Sequence, residues 1–175
     1  GDHDGSFDVS QDVGTLLLGN KRYAPDIAVG SNGNIYVTGA FAGSQNFAGT
    51  ELSSQGDKDI FVAGYTDDGA QNFAVSFGSS GDDIGQAVSV TPEGHILVSG
   101  QIGGEVRIGS EDLGSPGTIQ AVNILVDTNG NVRAASSFSS EGDYANRALG
   151  NAAGADWSIA VGDFIDNLQA GESMR

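Results

Sequence analysis

The chain has 175 residues, about one domain by length and enough to bury a core. Its net charge of −16, from 23 acidic against 7 basic residues, repels phosphate backbones and anionic lipid heads and so excludes nucleic acid and anionic membranes as partners. Without cysteine it has no disulfide, thiol chemistry or zinc–thiolate site, and no apolar run nears the roughly 20 residues that cross a bilayer, so no membrane insertion is expected.

In chain order the elements repeat. Residues 1–23 read as a partial copy: His3-Asp4-Gly5 with Gly14 nine residues on echoes Asp67-Asp68-Gly69 with Gly78, although Leu16–Tyr23 departs from the pattern. Strands are expected near 26–30, 34–39, 59–66 and 72–78, where apolar residues alternate or β-branched and aromatic residues cluster. The next copy places strands near 86–91, 95–101, 120–127 and 131–138, and a last partial copy places one near 156–162. Gly142–Leu149 reads as loop into strand. Between strands stand four turn glycines, Gly33, Gly69, Gly94 and Gly130, spaced 36, 25 and 36 residues apart. They supply the positive φ that tight hairpins require. The long and short steps sum to a period of 61, and an overlay at that offset sets Ile35-Tyr36-Val37-Thr38-Gly39 on Ile96-Leu97-Val98-Ser99-Gly100. A fixed period of this size marks a recurring supersecondary unit that buries its faces on its neighbours.

Two hairpins per period make an all-β chain of antiparallel four-stranded units, the blade of a β-propeller. Asp26–Gly39 (DIAVGSNGNIYVTG), Asp59–Gly69 (DIFVAGYTDDG) and Phe73–Asp83 (FAVSFGSSGDD) resemble the bacterial seven-bladed β-propeller repeat over roughly residues 24–138. The family's usual third-strand Lys is Gly64 here and Leu125 in the next copy, and its fourth-strand Trp is Phe73, then Ala134. The resemblance implies a fold rather than an activity. One β-repeat domain is expected over 1–175, with a partial blade 1–23, blades 24–84 and 85–145, and a partial blade 146–175. At 61 residues per blade the chain holds fewer than three, whereas rings need about 4–8. The blades are therefore open, completed by other chains, or cut from a longer protein, to which the start at Gly1 also fits. A β-sandwich is the alternative.

Candidate chemistry lies in the acidic turns. Asp2, Asp4 and Asp8 resemble the start of a calcium loop, Asp127 and Asn129 offer alternating oxygens, and Asp67-Asp68 is a further cluster. Ca²⁺ takes 6–8 oxygen ligands, and no loop supplies the full set. The alternative is that these are hairpin turns in which Asp and Asn accept bonds from their own backbone. His95 occupies the turn position of Asn34 and Asn131. No nucleophile elbow is present, and no catalytic residue is assigned. Phe41, Phe47 and Trp157 are the candidate platforms for glycan stacking, set against burial in the core. The expected function is a secreted or cell-surface structural protein, not an enzyme, that self-associates into a ring or filament, with strand exchange between termini one route. A lectin-like, carbohydrate-binding module and an enzyme with an acidic metal-bearing site are the alternatives.

Overall fold

The computed structural model describes residues 25–138, 147–154 and 158–163. Those residues are strands and their connections. The first copy comprises β1 (Asp26–Val29), β2 (Ile35–Phe41), β3 (Ser44–Phe47), β4 (Thr50–Ser53), β5 (Asp59–Tyr65) and β6 (Gln71–Phe77). The second comprises β7 (Ile84–Val90), β8 (Ile96–Ile102), β9 (Val106–Ile108), β10 (Glu111–Leu113), β11 (Gln120–Val126) and β12 (Val132–Phe138). A third begins with β13 (Arg147–Ala153) and β14 (Ser158–Asp163).

The fold is all-β and its pairings are antiparallel in every named sheet, none of which closes on itself among the described residues. Sheet 1 has the order β1-β2-β5-β6 and sheet 2 the order β7-β8-β11-β12, so each unit is a four-stranded sheet as expected. The expectation missed the small hairpins β3–β4 and β9–β10, one inserted between the second and third strand of each sheet. Their strands are three or four residues long and polar, too short to show an alternation. The four turn glycines have φ of 83, 85, 88 and 83°, and their turns close alike, as in Gly30 N–H to Asn34 C=O and Asp127 N–H to Asn131 C=O.

Period-2 alternation gives each sheet a front face, toward the next copy, and a back face. The front of sheet 1 (Tyr36, Ile60, Val62, Phe73, Phe77) packs on the back of sheet 2 (Val88, Ile96, Val98, Val122, Ile124, Val126), with Ile102 and Ile108, as one core. Gly85 on β7 lies so close to sheet 1 that a Cβ there would sit 2.3 Å from Thr38 Oγ1. A second core covers the back of sheet 1, where Val37, Phe41, Phe61, Ala63 and Tyr65 meet Phe47 of the β3–β4 hairpin.

Candidate interaction surfaces

The strand register defines rows that cross each sheet. Asp26, Thr38, Val62 and Val75 face one another across sheet 1. The residues 61 positions on, Ala87, Ser99, Asn123 and Ser136, form the matching row in sheet 2. At the junction between sheets, Asp26 Oδ2 accepts the Val88 amide at 2.8 Å. That bond supplies an acceptor to an amide of the edge strand β7. On the outer side, Asn72 Nδ2 donates to Thr128 C=O at 2.6 Å.

Among the described residues, both ends of this stack carry exposed aliphatic side chains. At one end Ile27 and Val29 of β1 are 51% and 66% exposed. They pair with Val37 and Ile35 on the back of sheet 1. Their counterparts 61 residues on, Val88 and Val90, lie in the core between the sheets. At the other end Leu149, Ile159 and Val161 are 48%, 55% and 59% exposed. Asn151 and Ala160, opposite each other, face sheet 2, because Asn151 bonds to Ser99. Ile159 and Val161 alternate with Ala160 and so face away, as front-face residues do. Exposed aliphatic residues thus stand at the β1 edge of a back face at one end, where Val37, Phe61 and Ala63 beside them are buried, and on a front face at the other.

Two buried carboxylates lie where the connections of the two copies interlock. Asp59 and Asp83 are both fully buried. Asp83 accepts Ser79 N–H at 2.6 Å, Ser79 Oγ–H and Gly103 N–H at 2.8 Å, and its own amide donates to Lys58 C=O. Asp59 Oδ1 accepts Gln55 N–H at 3.1 Å, while Oδ2 has no hydrogen-bond partner. Burial pushes both carboxyls above the usual carboxylate range, and the nearby Asp59 charge raises Asp83 further. The Asp59 carboxylate occupies the space a Gly78 side chain would need. Beside it opens a cleft of about 510 Å³, lined by Gln55, Ser79, Ser80, Glu105, Arg107 and Pro116 among others.

The sequence candidates fall differently. Phe41 and Phe47 are 1% exposed and pack edge-on at 5.6 Å, with Phe47 4.8 Å from Phe61. This corrects the expectation that they form sugar platforms: both rings are used to fix the β3–β4 hairpin on sheet 1, and neither face meets solvent. Asp67 and Asp68 lie in the β5–β6 turn, Asp127 and Asn129 in the repeat-related β11–β12 turn. The Asp127 carboxylate accepts the Asn131 and Asn129 amides and the Asn131 side chain, which together hold it below the usual range. Asp68 is lowered in the same way by Thr66 and the Ala70 amide. Among the described residues no three His, Asp or Glu side chains converge as a metal set. Asp2, Asp4, Asp8 and Trp157 lie outside the described residues. His95 takes the turn position, its amide directed to Thr91 Oγ1.

No family model matches this chain, and no curated protein matches it.

Proposed function

We propose that this chain is a structural protein, secreted or displayed at the cell surface, that self-associates head to tail through the two ends of its sheet stack. One observation carries the reading. The residues exposed at the β1 end are repeat equivalents of residues that, one copy later, are buried against a front face. The β13–β14 end offers an exposed front face of that kind. Joining the ends of two copies would repeat, between chains, the contact that sheets 1 and 2 make within one. Such a contact is heterologous, so it builds a ring if the rotation closes and a filament if it does not. Burying five half-exposed aliphatic side chains favours association, while the −16 charge opposes it until salt screens it.

The test is light scattering at rising protein and salt concentration. Assembly is expected, strengthened by salt, and lost in Ile159→Asp/Val161→Asp. A chain that stays monomeric throughout overturns the reading. A second reading, binding of a glycan or similar polar ligand, is favoured by the cleft between Gln55, Ser79 and Arg107. Calorimetry against a panel of oligosaccharides tests it, and absence of heat throughout rejects it.

A further inference from the structure

The two faces of sheet 2 are built from different chemistry. Its back face meets sheet 1 through Val88, Ile96, Val98, Val122, Ile124 and Val126. Its front face, which seats β13, carries the row Ala87, Ser99, Asn123 and Ser136. In sheet 1 the same row holds Val62 and Val75 where sheet 2 has Asn123 and Ser136. The next row stays apolar but loses its rings: Tyr36, Gly64 and Phe73, the two rings in contact at 6.4 Å, become Leu97, Leu125 and Ala134.

Into this polar face reaches Asn151 of β13. Its Nδ2 donates to Ser99 Oγ at 2.9 Å, Leu97 C=O at 3.1 Å and Ala87 C=O at 3.3 Å, and Ser99 Oγ donates to Asn123 Oδ1 at 2.6 Å. The satisfaction is incomplete. Asn151 Oδ1, Ser89 Oγ, Ser136 Oγ, Gln86 Oε1 and Arg147 Nε are buried with no hydrogen-bond partner. All five lie on β7, β12 or β13, the strands at or beside this junction. Leu97 and Ala148 are buried at the junction too, but a half-satisfied polar network holds two elements together less well than a wholly apolar core, which favours release of β13–β14 from sheet 2 over parting of sheets 1 and 2.

We infer that β13–β14 is an exchangeable hairpin whose alternative seat is the front face of β7-β8-β11-β12 in a second copy of this chain. The seat and the hairpin are complementary because they already meet within one chain, so exchange restores each contact it breaks. Eight residues separate Phe138 from Arg147, a link that extends to about 30 Å. The inference rests on the self-association proposed above and adds to its head-to-tail contact a second way in which β13–β14 joins two chains.

The chain has no cysteine, so Ser99→Cys with Asn151→Cys introduces its only two thiols. The variant is assembled at high concentration under reduction, then oxidised and run on a non-reducing gel. Chain-to-chain disulfides are expected. Disulfides confined within single chains, in a fraction that is assembled, overturn the exchange and leave head-to-tail association standing. A chain that never assembles overturns both. Hydrogen exchange on the unaltered protein decides independently: amides of β13 are expected to be at least tenfold less protected than those of β8, and equal protection overturns the inference.

Discussion

Val62→Asn isolates what holds sheets 1 and 2 together. Val62 is fully buried in the core between the sheets, and the residue 61 positions on is Asn123. The substitution therefore writes the second copy's residue into the first copy's row at nearly constant size. It removes a buried Val, about 1.5 kcal/mol at the lower end of aliphatic burial. It adds a buried amide without partners, about 1–3 kcal/mol more. Thr38, its neighbour in the row, already donates to Phe61 C=O at 2.8 Å and would have to give up that bond to meet the new amide. The sum is about 3 kcal/mol, or roughly 6–12 °C in melting temperature for a chain of this length. Urea denaturation at low protein concentration, where association does not contribute, measures it. The reverse change, Asn123→Val, loses the Ser99 bond but gains apolar burial and is expected within about 1 kcal/mol of the parent. A Val62→Asn cost below about 1 kcal/mol, or an Asn123→Val cost equal to it, would refute the contrast between an apolar and a polar junction.

Two further outcomes follow from local geometry. Ala48 has φ 45°, so relief of left-handed strain, less the entropy glycine adds to the unfolded chain, should make Ala48→Gly stabilising by about 0.5–1 kcal/mol; a lowered melting temperature in calorimetry would contradict it. Asp59 and Asp83 hold their protons more tightly folded than unfolded, so their contribution is full below the unfolded value near 3.8 and is lost as pH rises through the raised folded values. Asp59→Asn removes one such group and relieves the other of a like charge; melts between pH 4 and pH 7 should fall less steeply than the parent's, and an unchanged slope counts against the buried pair.

Much of the architecture is legible in the residues. The spacing of Gly33, Gly69, Gly94 and Gly130 gives the period, and apolar alternation at 35–37 and 96–98 marks the paired strands, because turn conformation and sheet burial act on near neighbours in sequence. The small hairpins escape this reading, since Phe47 and Ile108 anchor them through contacts on a sheet rather than through any local pattern. The acidic turns read as turns: Asp127 is spent on amides within four residues of itself.

Function is legible only in part. Ile27 and Val88 are interchangeable aliphatic residues in an alignment of the copies, yet one is half exposed and the other buried. Phe41 and Phe47 look available until Phe61 is set against them. Asn151 does not stand out in sequence, and its three donations span strands more than fifty residues away. The sequence by itself determined a repeating antiparallel β unit of 61 residues. Which faces of that unit are covered, which are left bare, and which junction is polar was decided only by the tertiary structure, because burial depends on what packs across a face and not on the residues that compose it.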